Sequence, residues 1–146
     1  MGGTQLSLNI SSATNGPPYL LDTHIWIWYL IASERLPRSL GAAIDGAAGG
    51  VWLSPISIWE AGMLHARGRV ALEGGPRRWI EEARRAFPIQ EAVVNGEVAI
   101  RSHEFDLGHR DPADHLLAAT TLVYGLTLLT LDARLSATGW LPTRSS

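Results

Sequence analysis

The sequence predicts an α/β fold in layers, with a mainly parallel central sheet flanked by helices. Two observations carry this. Three short apolar or β-branched runs, YLLD from Tyr19, VWLS from Val51 and LTLLTLD from Leu126, have the length and composition of buried strands. Longer segments with helix start and stop signals lie between them, and strands alternating with helices favour parallel pairing through crossovers.

Taken in order, Pro17 and Pro18 break the chain before the first strand, and THIWIWYLIAS, from Thr23, is apolar over enough length to be a helix. RLPRSLGAAIDGAAGG places Pro37 near a helix start and ends in Gly49 and Gly50. After VWLS, PISIWEAGMLHARG has Pro55 in a tolerated first-turn position and Gly68 as its stop. GPRRWIEEARRAF reads as a surface helix, with Arg77 and Glu81, Arg78 and Glu82, and Glu81 and Arg85 spaced i,i+4. NGEVAIRSHEF is a further helix capped by Asn95. DPADHLLAATTLVYG follows with Asp111 as N-cap, Pro112 in the first helical position and Gly125 as the stop. The third strand, LTLLTLD, then passes through ARLSATG to WLPTR.

The chain of 146 residues is the size of one domain, and 46% hydrophobic against 18% charged residues places it among globular proteins. Residues 1–18 are small and polar and read as a flexible leader; residues 19–146 form the domain. The leader lacks the charged and apolar regions of a secretory signal, and the run from Ile25 to Ala32 is far short of the roughly 20 residues that cross a bilayer. The expectation is a cytoplasmic protein with no membrane association. The absence of Cys excludes disulfides, thiolate metal sites and cysteine nucleophiles. A net charge of −2 carries no overall nucleic-acid signature, and all twelve cationic residues are Arg.

Four carboxylates stand where carboxylates are costly. Asp22 and Asp132 end predicted strands, and in parallel α/β folds ligands gather beyond the carboxyl ends of the strands. Glu60 completes the helical stripe of Ile56, Trp59, Met63 and Leu64; Asp114 shares a face with Leu117, Ala118 and Thr121. Each has a plain alternative. Asp22 would cap the following helix, Glu60 would pair with Arg67, Asp114 would complement the helix dipole and Asp132 would sit in a turn. Should the four meet in one cleft, like charges about 4 Å apart repel by roughly 4 kcal/mol at an effective dielectric near 20, so a cation is needed. An all-oxygen set selects a hard ion, Mg²⁺ with Mn²⁺ able to substitute, and the chemistry such ions support is attack on phosphate.

The motifs LLDTHIWIW, SPISIWE and HRDPADHLLAATTLVYGLTLLTLD resemble, from Tyr19 to the C-terminus, the PIN domain, and within it the VapC-like toxin ribonucleases of toxin–antitoxin modules. The resemblance implies a three-layer sandwich, with Asp22, Glu60, Asp114 and Asp132 as both the metal-binding and the catalytic acids. Thr23 and Thr130 match hydroxyl positions supporting those acids; Asp111 is an N-cap with a supporting role, and Arg110 lies beside the acidic turn. The resemblance further implies an RNA substrate cut to 5′-phosphate and 3′-hydroxyl ends, a homodimer and a cognate antitoxin protein. His24 and His115 are read as packing or hydrogen-bonding residues. Trp26, Trp28 and Trp59 are read as core; Trp52, Trp79 or Trp140 would anchor a partner.

Other readings fit less well. A dehalogenase-like phosphatase wants an acid where His24 stands, a receiver domain wants a Lys, and no G-x-G-x-x-G follows a predicted strand. A non-catalytic PIN-like interaction module is the alternative from another class, and retention of all four acids argues against it.

Overall fold

The computed structural model describes residues 16–47 and 49–146, so most of the leader expected over residues 1–18 lies outside the described residues. In chain order the elements are β1 (Tyr19–Leu21), α1 (Thr23–Leu30), α2 (Arg38–Gly46), β2 (Val51–Leu53), α3 (Pro55–Ala66) and α4 (Pro76–Ala86). They continue with β3 (Gln90–Glu91), α5 (Gly96–Arg101), α6 (Pro112–Tyr124), β4 (Thr127–Leu129), α7 (Ala133–Ser136) and β5 (Thr143–Arg144). The strands form one sheet in the order β3-β2-β1-β4-β5, and every pairing is parallel.

The three runs read as strands are β1, β2 and β4, the centre of the sheet. Two edge strands were not anticipated. Gln90 and Glu91 are exposed and polar, and pair with Trp52 and Leu53 through backbone alone. Thr143 and Arg144, within the WLPTR segment, pair with Leu128 and Leu129. Two-residue edge strands carry no hydrophobic alternation, so only the partner strand defines them.

Alternation along the central strands divides the core into two layers. Tyr19, Leu21, Leu53 and Leu129 face one way and pack with Ile25, Trp26 and Ile27 of α1, Leu40 and Ile44 of α2, Ala61 of α3 and Ala83 of α4. Leu20 and Leu128 face the other way and pack with Leu117 and Ala118 of α6, Leu135 of α7 and Leu141. This is the expected three-layer sandwich, with β1 and β4 buried on both faces. Each fully buried Leu or Ile among them stabilises the fold by about 1.5–3 kcal/mol. Among the described residues no helix is long and apolar enough to cross a membrane.

The helices hold two corrections. The first concerns α1, expected to run through Ser33, which ends at Leu30 with Ile31 exposed and Ala32 at φ +52°. In α3 the inward side is not the expected stripe. Ser57 and Ala61 are fully buried, whereas Trp59, expected in the core, is 60% exposed. Small residues at these positions let α3 approach α1 closely enough for hydroxyl contacts between them, and Trp59 is left on the outer side. Of the other tryptophans, Trp26 is buried and Trp28 half-buried; Trp79 meets Trp26 edge-on and Trp52 packs on Tyr124. On α4 the Arg77–Glu81 and Arg78–Glu82 pairs form, and Arg84 pairs with Glu91.

Helix α6 keeps its expected ends. The Asp111 side chain accepts the Ala113 N–H, and Gly125 ends the helix in the left-handed region at φ +66°. That conformation turns the chain directly into β4, which supplies the site. Gly125→Ala therefore destabilises the fold by about 1 kcal/mol, read as a lowered denaturant midpoint at unchanged slope.

Candidate active site

Loops at the carboxyl end of the sheet deliver five carboxylates to one cleft of about 410 Å³, lined by Asp22, Glu60, Asp111, Asp114 and Asp132 together with Thr23, His24 and Arg134. Asp22 directly follows β1, where its N–H donates to the Leu129 carbonyl at the end of β4 (3.0 Å). Asp132 lies three residues beyond β4. Glu60 comes from the second turn of α3, and Asp111 and Asp114 come from the start of α6. All four acids singled out in the sequence thus reach the same cleft.

Hydrogen bonds fix the inner carboxylates. Asp22 Oδ1 accepts the Thr23 N–H at 2.8 Å, and its Oδ2 accepts the Thr130 hydroxyl at 2.6 Å. The fully buried Thr130 oxygen also accepts the Asp132 N–H at 3.0 Å, so one hydroxyl ties the two strand-end acids together. The Thr23 hydroxyl donates to Glu60 Oε1 at 2.6 Å and is hydrogen-bonded with Ser57 at 3.1 Å. With its one proton committed to Glu60, Thr23 accepts the Ser57 proton. Thr23 and Thr130 therefore both contact the expected acids. Arg67, offered as a plain partner for Glu60, is replaced by Thr23.

The cap reading and the cleft reading both hold. Asp22, Asp111 and Asp132 each cap a helix with one oxygen, of α1, α6 and α7 respectively, while lining the cleft. Capping sets the backbone so that the carboxylate sits over its helix N-terminus, and this is what aims it into the cleft.

Electrostatics mark a site where burial, more than like charge, works against ionised carboxylates. Burial raises the Asp22 and Glu60 carboxyls, against the hydrogen bonds from Thr130 and Thr23 that lower them. Asp114 is pushed up to about 7, first by burial and then by the charges of Asp111, Asp22 and Asp132. Asp132 alone goes down, because Arg134 hydrogen-bonds to it. The Arg134 fork places Nε 3.2 Å from Asp132 Oδ1 and Nη2 2.9 Å from Oδ2, and Nη2 is also 3.3 Å from Asp114 Oδ2. His109 Nδ1 accepts the Asp111 N–H at 3.3 Å, which leaves Nε2 to carry the proton and face Asp114 Oδ2 at 3.4 Å. Among the described residues no three acids or histidines are drawn together as a ready-formed metal cage. The cleft acids are instead held by Thr23, Thr130 and Arg134, while the buried His109 Nε2 lies 3.4 Å from Asp114 Oδ2 without a hydrogen-bond partner.

Arg110 is not in this cleft. It is exposed in a neighbouring cavity of about 430 Å³ with His103, Pro112 and His115, across the first turn of α6 from the acids. His115 donates from Nδ1 to the Asp111 carbonyl at 2.9 Å and stacks on Phe105, in keeping with its hydrogen-bonding and packing role. The residues missed in the sequence are Arg134 and His109. The available signal for Arg134 was its place two residues after Asp132, on the helix that Asp132 caps.

A parallel α/β sandwich whose strand ends and helix N-termini gather carboxylates into one cleft defines the class: a parallel α/β domain with an acidic cleft at the carboxyl end of its sheet. The PIN domain family profile matches residues 19–141, and the chain belongs to that family. It is 31% identical over 119 residues to Ribonuclease VapC22 of Mycobacterium tuberculosis, covering 80% of this chain and 88% of that protein. Its fold is similar to VapBC2 from Rickettsia felis, solved bound to a DNA fragment from its promoter, with TM-score 0.65 and 13% identity over 86% of this chain and 96% of that one. A toxin–antitoxin complex from Klebsiella pneumoniae is similar at TM-score 0.61 and 17% identity, over 87% and 96% of the respective chains.

Proposed function

We propose that the chain is the ribonuclease toxin of a toxin–antitoxin pair, a Mg²⁺-dependent endoribonuclease that hydrolyses RNA phosphodiester bonds in the cleft of Asp22, Glu60, Asp114 and Asp132. The convergence of these four acids from β1, α3, α6 and the end of β4 is the observation that carries the reading. Its likeness to Ribonuclease VapC22 supports RNA as the substrate. The fold shared with a toxin–antitoxin complex from Klebsiella pneumoniae supports an antitoxin as protein partner. We further propose that the toxin works as a homodimer.

The donor set fits a hard divalent cation: it is all oxygen, and burial disfavours charge on Asp22, Glu60 and Asp114 in a way that a bound cation would offset. Bound there, Mg²⁺ or Mn²⁺ supplies Lewis-acid polarisation of the scissile phosphate and activation of a water. The chain's own residues supply the rest. Thr130 holds Asp22 in register with Asp132, and Thr23 holds Glu60, so these acids are oriented toward the cleft. Asp111 adds negative charge at the rim while capping α6. Arg110, exposed in the neighbouring cavity, offers a guanidinium to the backbone of an RNA segment flanking the scissile bond.

The test is cleavage of a mixed cellular RNA pool by purified protein in Mg²⁺ or Mn²⁺, beside an EDTA control. Discrete metal-dependent fragments with 5′-phosphate and 3′-hydroxyl ends are expected; fragments that persist in EDTA would contradict the reading. Thr130→Val removes the hydroxyl shared by Asp22 and Asp132, and lowers cleavage by about 10–100-fold, as loss of an orienting partner does in metal sites. Single-turnover rates on one RNA substrate check it.

A further inference from the structure

We propose that Arg134 is an exchangeable counterion of the cleft: it holds the acids in the metal-free protein, yields them to a divalent cation, and then turns to a phosphate of the RNA. This rests on the function proposed above and deepens it, adding a positioning residue for the substrate.

The contacts argue for exchange. Both oxygens of Asp132 are engaged by Arg134, Oδ1 by its backbone N–H at 2.9 Å and Nε at 3.2 Å, and Oδ2 by Nη2 at 2.9 Å. The same Nη2 reaches Asp114 Oδ2 at 3.3 Å. A cation bound to Asp132 and Asp114 competes for those oxygens, and the guanidinium's positive charge so close to them opposes its binding. Arg134 is placed to give way. Its side chain is 56% exposed and its helix, α7, is a single turn at the rim of the cleft.

The exchange favours release. The guanidinium faces water and stays solvated when it turns away, whereas a divalent cation meets several half-buried carboxylates at once. Once free, the guanidinium stays tethered two residues from Asp132, at the mouth through which a phosphodiester must pass. Planar forked donors suit phosphate as well as carboxylate, so the group that neutralised Asp132 also suits the incoming substrate.

The same residue therefore acts in opposite directions on the two ligands. Arg134→Gln, in the full chain, is expected to bind Mn²⁺ roughly three- to tenfold more tightly by calorimetry, because the competitor is gone. At saturating Mn²⁺ its KM for RNA is expected to rise by a similar factor, and the slope of log affinity against log salt to fall by about one phosphate contact. Arg134→Lys, a point charge without the fork, should restore part of each effect. A residue that merely braces α7 would loosen the fold without tightening Mn²⁺. Unchanged or weaker Mn²⁺ binding by a folded Arg134→Gln protein overturns the exchange. An unchanged KM and salt slope overturns the phosphate role. A wild-type protein that binds no Mn²⁺ overturns this assignment together with the metal site beneath it.

Discussion

Asp22→Asn is expected to lower RNA cleavage by on the order of 10³-fold while leaving the fold intact. The carboxylate stands at the junction of β1 and α1, bound by Thr130 and by the Thr23 N–H, in the most constrained part of the cleft. Its charge is what the site uses, since electrostatic groups of this kind each supply large factors in rate. Its structural duties pass to Asn. Asn caps helices as well as Asp does, and the Thr130 hydroxyl turns from donor to acceptor toward the amide. Burial already disfavours the charged form of Asp22, so the neutral side chain is no burden on stability. Circular dichroism and thermal melting alongside the rate assay separate lost chemistry from lost structure.

The second large effect is one of stability, and its sign depends on metal. In the folded protein Asp114 titrates at about 7, against an ordinary value of 3.8. Between roughly pH 4 and pH 7 the folded state therefore binds the proton that the unfolded state releases, so stability falls as pH rises through this window. Asp114→Asn removes that loss. In EDTA the variant should match the wild type near pH 4 and exceed it at pH 8. The gain is about 1–2 kcal/mol after allowance for water reaching the cleft, or roughly 3–6 °C in Tm. Excess Mn²⁺ should reverse the order, because a cation bound only by the folded wild type adds about 2.7 kcal/mol at one hundred times its Kd. Differential scanning fluorimetry at both pH values, with and without Mn²⁺, checks all four conditions.

The sequence made the acids visible through two rules of different strength. Asp22 and Asp132 follow apolar strands, at the sheet end where parallel α/β folds gather ligands. Asp114 was legible because α6 is buried along the face that carries it, from Ala113 to Thr121. Glu60, which lines the cleft, was reached by a faulty stripe. Trp59 and Met63 suggested an apolar face, yet Ser57 and Ala61 are the buried pair, because close packing against α1 selects small side chains over large ones. Hydrophobic periodicity reports volume and polarity, and it misses a contact built on hydroxyls.

What stayed hidden arises only when distant segments meet. Strands β3 and β5 are defined by β2 and β4, since Gln90, Glu91, Thr143 and Arg144 carry no strand pattern of their own. His109 gains its place from the turn that presents Asp111, and Arg134 from the approach of α7 to the first turn of α6. Arg110 was favoured for its neighbour in sequence, Asp111, but the helix start directs the two to different cavities.

The most direct measurement is a Mn²⁺ binding isotherm of the purified wild-type chain beside Asp22→Asn, Glu60→Gln, Asp114→Asn and Asp132→Asn. Saturable binding by the wild type, weakened at least about tenfold in each folded variant, is the predicted result. Wild-type affinity retained in all four would contradict the four-carboxylate site and the ribonuclease mechanism built upon it.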